Sequence, residues 1–276
     1  MKMLLCALFS VWLILPVSAG LDALFYHPVP DRFRTPADDG CAFEQITFPS
    51  ADGTALSGWF IPAQQQKALG TVIHFHGNAQ NMSAHYAFVS WLPKSGFNLF
   101  VFDYRGYGAS EGRPSREGVY QDSVAAIEYI KSRTDIDQAK LIIFGQSIGG
   151  ANALAAVGSN AFEGIVGVVS DSAFSTYKSV AAEHAGWLKP FAYLFISNRY
   201  SPEKYVQSIA PTPLIIIHGT RDRVASVHHA ERLFRAAKEP KELWLIEGGE
   251  HTSALGPDIN TYAPRLCEKF KTWTAD

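Results

Sequence analysis

An α/β doubly wound layer sandwich is the fold class this sequence predicts, and three observations carry it. Short runs rich in β-branched and aromatic residues recur at 45–48, 55–61, 71–76, 98–103, 140–145, 165–170, 214–218 and 242–246. Longer stretches of helical pattern fall between most of them, at 86–95, 116–132, 149–158, 227–237 and 262–274. The later runs, such as Leu141-Ile142-Ile143-Phe144 and Leu214-Ile215-Ile216-Ile217, are apolar without alternation, as parallel strands covered on both faces require. The first two runs lack an intervening helix and read as a hairpin through Asp52-Gly53. The expected architecture is a mostly parallel eight-stranded sheet with helices on both faces.

Bulk composition bounds the rest. Of 276 residues, 47% are hydrophobic and 18% charged, enough for one sizeable core. A net charge of -2 with interspersed signs leaves no basic stripe for nucleic acid and no acidic tail. Lys2 precedes a run without charge from Met3 to Leu21, broken first by Asp22. Two readings stand: a signal peptide cut after Val17-Ser18-Ala19, or an uncut anchor holding the chain in a membrane through 3–21. Either exports the domain to a periplasmic or extracellular face, secreted or membrane-anchored. Pro-rich and Asp-rich residues 22–40 read as a linker, and 41–276 as the main folded domain. In an oxidising compartment Cys41 and Cys267 would be able to pair. The three cysteines show no metal-ligand spacing.

One interval breaks the strand and helix rhythm. From 173 to 211 the chain is far longer than a crossover needs, and it carries Trp187, Phe191, Tyr193, Phe195 and Tyr200. It reads as a helical lid over the carboxyl ends of the strands, with Trp187, Phe191 and Phe195 walling a substrate pocket. An ordinary crossover helix packed on the core is the other reading.

The chemistry concentrates where strands end. Gly145-Gln146-Ser147-Ile148-Gly149 follows one strand and opens a helix, the setting of a nucleophile elbow. A serine hydroxyl needs a base to take its proton, and His251 follows the last strand in Gly249-Glu250-His251. The acid that orients the imidazole is expected at Asp222, after 214–218, with Asp171 as its rival. Two backbone N–H groups must receive the developing oxyanion; Ile148 supplies one, and Asn78 in His76-Gly77-Asn78-Ala79 the other, with Ala79 the alternative. His74 and His76 alternate on a buried strand without a third ligand, so no metal is expected and His76 reads as a brace for its loop. Gly106-Tyr107-Gly108-Ala109-Ser110-Glu111 has Glu111 where a dinucleotide loop needs its third glycine. His228 and His229 read as surface residues.

Assembled in chain order, these segments resemble the α/β-hydrolase superfamily, and within it the N-terminally anchored single-domain hydrolases akin to serine aminopeptidases and depalmitoylating esterases. The likeness runs over 45–276 and rests on His76-Gly77-Asn78, Asp103-Tyr104-Arg105-Gly106-Tyr107-Gly108, the elbow, His218-Gly219-Thr220-Arg221-Asp222 and Gly249-Glu250-His251. It departs at Val224-Ala225-Ser226, where the family commonly has valine and proline. The resemblance implies a hydrolase with a helical lid, a Ser147–His251–Asp222 triad, no cofactor and a small-molecule acyl substrate. A peptidase of the same fold and a noncatalytic binding protein are the other readings it leaves.

Overall fold

The apolar runs assemble into one eight-stranded sheet in the computed structural model, which describes residues 22 and 25–275. The stretch read as signal peptide or anchor, 1–21, lies outside the described residues. The strands are β1 (Glu44–Pro49), β2 (Ala55–Ile61), β3 (Thr71–Phe75), β4 (Asn98–Phe102), β5 (Leu141–Gln146), β6 (Ile165–Asp171), β7 (Leu214–Gly219) and β8 (Lys241–Ile246). Their order across the sheet is β8-β7-β6-β5-β3-β4-β2-β1. The β1–β2 hairpin and the β2–β4 pairing are antiparallel; every other pairing is parallel. Parallel neighbours send all their carboxyl ends to one edge, and the order reverses beside β3 and β5. A ligand site belongs in the crevice at that edge.

Residues alternate between two cores because successive side chains of a strand face opposite ways. Leu141 and Ile143 join one apolar cluster, Ile142 and Phe144 the other. Helices α1 (Arg116–Ser132) and α2 (Ile148–Ser159) cover the first face, and α6 (Ile259–Thr274) covers the second. Helix α1 begins where Ser115 Oγ accepts from Gly118 N–H. Helix α2 is rich in Ala and Gly and lies buried almost along its length, since small residues let it approach the sheet. The long interval folds into α3 (Tyr177–His184), a tight turn at Gly186–Leu188 and α4 (Lys189–Phe195); α5 (His228–Ala236) follows β7.

Three expectations need correction. The segment 86–95 is no continuous helix: Asn81 caps one turn at Met82–His85, and 3-10 turns follow at Tyr86–Phe88 and Pro93–Ser95. Pro93 lacks an N–H to continue a ladder, and Gly96 ends the segment in the left-handed region at φ +95°. The stretch expected to link is packed: Tyr26 is buried with its hydroxyl 3.3 Å from that of Tyr177, and His27–Pro28 pair in parallel with Ala79–Gln80. Cys41 and Cys267 are free. Cys41 Sγ is turned instead toward the Gln64 amide at 3.2 Å and the Asp39 carbonyl at 3.9 Å.

A buried charge cluster holds the strand ends to α1. Arg105, just past β4, donates to Asp122 through Nε and Nη2, to Asp52 of the hairpin at 2.8 Å and to Ser50 at 3.1 Å. Removing one partner of a buried pair strands the other charge. Asp122→Ala is expected to lower stability by about 3–5 kcal/mol in urea titrations; a loss below about 1 kcal/mol, the level of exposed pairs, would show that the cluster is solvated.

Candidate active site

Ser147 alone turns the chain from β5 into α2, at φ +55° and ψ −122°. A residue with a Cβ takes this conformation only when its surroundings impose it. They do so by contact: a Cβ on Gly149 would lie 2.1 Å from the Phe75 carbonyl oxygen, and one on Gly145 2.6 Å from that of Gly149. Ser147 N–H donates to Asp171 O at 2.8 Å, pinning the turn to the end of β6. The hydroxyl is thereby lifted to the carboxyl edge of the sheet.

The loops after β7 and β8 bring their side chains to it. His251 Nε2 lies 2.9 Å from Ser147 Oγ, and His251 Nδ1 lies 2.7 Å from Asp222 Oδ2. Asp222 also accepts from Val224 N–H at 2.8 Å and Ala225 N–H at 3.0 Å. Proline at 225 would lack that second donor. His218 Nε2 donates to Ala225 O at 2.7 Å and sits 3.2 Å from Asp222 Oδ2. Burial opposes ionisation of Asp222, but hydrogen bonds from His218 and His251 outweigh it and hold the carboxyl well below the usual carboxylate range. The ring thus has an anionic partner on one nitrogen and a hydroxyl on the other.

Asp171 does not touch the imidazole. Fully buried, it accepts from Ser172 Oγ at 2.9 Å and from the Gln146 amide at 3.3 Å. Ser172 Oγ in turn accepts from Thr252 N–H at 2.9 Å. Ser172 and Thr252 are both at positive φ, +56° and +54°, so this bond fixes a constrained loop beside His251. The rival acid is a support beneath the ring.

Opposite the elbow, the loop after β3 is braced from three sides. His76 Nδ1 donates to Gly77 O at 2.7 Å, Tyr107 Oη donates to Asn78 O at 2.7 Å, and His27 N–H donates to Asn78 Oδ1 at 3.0 Å. Among the described residues, Asn78 N–H and Ile148 N–H donate to no protein acceptor. Both residues line the same cavity as Ser147. Tyr107 and the strap at His27 had no local signal in the sequence, because their role arises only when the loops meet.

That cavity measures about 870 Å³, and its walls are apolar: Phe25, Phe174, Val180, Leu188, Phe191 and Phe195 line it with others of their kind. Phe191 and Phe195 stand one turn apart on α4 with rings stacked at 6.3 Å. Trp187 is corrected. It lies in the turn before α4, 84% exposed, and does not line the cavity.

A second correction concerns His229, which is buried rather than superficial. Its Nδ1 accepts from Ser175 N–H at 3.1 Å, so the proton of the neutral ring is on Nε2, 3.2 Å from Glu183 Oε1. With His228 these side chains form an acid and imidazole group whose ligand atoms lie within 4.8 Å of one another. A nitrogen carrying a proton offers no lone pair to a metal. Glu183 also accepts from Ser226 N–H and Oγ, and His184 Nε2 donates to Val224 O at 2.7 Å. The group is a latch between α3 and the loop carrying Asp222.

Sheet order, elbow and a cavity at the carboxyl edge define an α/β hydrolase. The prolyl oligopeptidase family profile matches residues 84–252, and the chain belongs to that family. The YfhR protein of Escherichia coli (strain K12) is 43% identical over 250 residues, which cover 90% of this chain and 84% of that protein. The α/β hydrolase domain-containing protein WAV2 of Arabidopsis thaliana is 31% identical over 259 residues, covering 83% and 82%. Among solved structures, the esterase Pf2001 of Pyrococcus furiosus matches with a TM-score of 0.76 at 23% identity, covering 91% of this chain and 99% of that one, a likeness of fold.

Burial raises the Asp171 carboxyl above its ordinary range, against the hydrogen bonds of Ser172 and Gln146. A carboxyl raised on folding binds more protons folded than unfolded, so its cost to stability grows as pH climbs past the unfolded value of about 4. Asp171→Asn removes that cost. Its melting temperature is expected to equal or exceed the parent's at pH 7, with the gap closing below about pH 4; a melt several degrees lower at pH 7 would mean that Asp171 is held ionised.

Proposed function

We propose that the chain is a serine hydrolase cleaving esters or thioesters of apolar acyl groups through an acyl-enzyme. One observation carries this reading: Ser147, His251 and Asp222 are hydrogen-bonded in series, and Ser147 lines an apolar cavity. His251 Nε2 takes the Ser147 proton as Oγ attacks the acyl carbonyl. The N–H groups of Ile148 and Asn78 receive the oxyanion, aided by the N-terminal dipole of α2. His251 then protonates the leaving group, and water deprotonated by the same ring releases the acid. Asp222 keeps the imidazole in the tautomer that leaves Nε2 free to accept, and stabilises its charged form.

The name of Pf2001 as an esterase agrees with this reading, and the family's name keeps a peptidase as runner-up. A peptidase acting on free amino termini needs a carboxylate to hold the substrate's ammonium. No Asp or Glu stands among the described residues lining the cavity. The apolar 3–21 segment puts the domain, in this proposal, at or beyond a membrane.

A fluorophosphonate probe is expected to label Ser147, with labelling and turnover both lost in Ser147→Ala. Asp222→Asn is expected to lower kcat by about four orders of magnitude, and hydrolysis to fall on acidification because a protonated imidazole cannot accept the serine proton. Turnover that survives in Ser147→Ala would sink the assignment.

The cavity wall makes a separate prediction. Each buried methylene of an acyl group contributes about 0.8 kcal/mol, so kcat/KM rises from acetyl to medium-chain esters. Phe191 and Phe195 are half exposed, so truncating either is expected to flatten that rise while leaving acetyl ester hydrolysis and the thermal melt nearly intact. A parallel loss of all activities with about 3–5 kcal/mol of stability would instead make them core residues. Preference for aminoacyl amides over every ester would promote the peptidase.

A further inference from the structure

The strip 187–195 leaves Trp187, Leu188, Phe191, Tyr193, Leu194 and Phe195 exposed together, Trp187 at 84% and Leu194 at 72%. Nothing among the described residues covers this crown. Its sequence, Trp187 to Phe195, holds one charge, Lys189, and no acid. Amphipathic aromatic residues beside a lysine above an aliphatic face are the composition of a segment seated at a bilayer surface, where a long basic side chain reaches back to the headgroups.

The path of the chain says what meets the crown. The apolar 3–21 run enters the described structure at Asp22, whose carboxylate accepts from the Arg116 side chain and from Arg116 N–H at 3.2 Å. Arg116 Nη1 also donates to Ser197 O at 2.6 Å, two residues past α4. Phe25, three positions on, lies edge-on to Tyr177 of α3 at 5.0 Å and lines the cavity. The segment apolar enough to enter a membrane therefore joins the domain beside the crown and the cavity wall.

We propose that the apolar crown, from the turn at Gly186–Leu188 through α4, docks into the surface of a lipid bilayer and turns the cavity toward membrane-borne acyl groups. Docking stands on the crown and the chain path; that it supplies substrate to Ser147 rests on the hydrolase reading above. Trp187 and Leu194 contact lipid and not the cavity lining, so they separate the two.

The full chain is reconstituted in phosphatidylcholine and phosphatidylglycerol vesicles with and without brominated acyl chains. Because 3–21 can retain the chain on vesicles by itself, retention is not the readout. Trp187 emission, taken as the difference between parent and Trp187→Phe, is expected to be strongly quenched by brominated lipid and shielded from aqueous acrylamide. Leu194→Ser is expected to cut hydrolysis of a vesicle-borne ester about tenfold or more, the loss for withdrawing a leucine-sized side chain from lipid, while a water-soluble acetyl ester is cleaved as by the parent. Emission open to acrylamide and blind to brominated lipid would overturn the docking. Emission shielded from both would also overturn it, giving the crown to 3–21 or a second copy. Quenching by brominated lipid without hydrolysis of either ester would leave the docking standing and remove the hydrolase reading.

Discussion

Backbone contact at the Ser147 turn is the constraint on which the site depends. Gly149 lies against the carbonyls of Phe75 and His76, closer than any side chain allows, so β3, β5 and the start of α2 are fixed relative to one another within a fraction of an ångström. From that contact follow the positive φ of Ser147, the exposure of its hydroxyl and the approach of the loop carrying Asn78. The strain is local. It is held by the parallel pairings of β5 with β3 and β6, which lie at the centre of the sheet with apolar clusters on both faces.

Around this fixed point the other side chains of the candidate site stand on loops with supports of their own. Asp222 is fixed by two backbone donors and His218, the His251 loop by the Ser172 and Thr252 bond, and Asn78 by Tyr107 and the strap. The lid is fastened differently, through Glu183 and His184 to the loop that follows Asp222. A displacement of α3 thus reaches the acid's loop directly. The N-terminal strap reaches the opposite wall, since Phe25 lines the cavity and His27 holds Asn78. The N-terminal strap, lid and site are linked through short paths of named bonds.

Much of the fold was legible in the sequence because buried parallel strands must be continuously apolar, and the runs at Leu141 and Leu214 are. The residues of the hydrogen-bonded series were legible for a related reason: each stands at or within a few residues of a strand's end, at the one edge where parallel strands end together. Asp222 and Asp171 were harder to separate, as both follow strands and both are buried; the contacts decide, Asp222 meeting His251 Nδ1 while Asp171 is taken by Ser172 and Gln146. What failed to show locally was tertiary. His229 is drawn inward by Ser175 N–H, a partner 54 residues away, and the strap is ordered by pairing with Ala79–Gln80. The helix expected at 86–95 yielded to Pro93 and to the Asn81 cap that starts a turn earlier. Trp187 has the composition of a pocket wall and the position of a surface.

In the proposed mechanism Ser147 carries the acyl group between two chemical steps. Rapid quenching of the full chain during hydrolysis of a medium-chain p-nitrophenyl ester, followed by intact and peptide mass analysis, tests it most directly. A transient mass increase equal to one acyl group is expected, located on the peptide containing Ser147 and formed at the rate of the p-nitrophenol burst. Steady turnover with no adduct on Ser147, or an adduct on another residue formed at that rate, would contradict it.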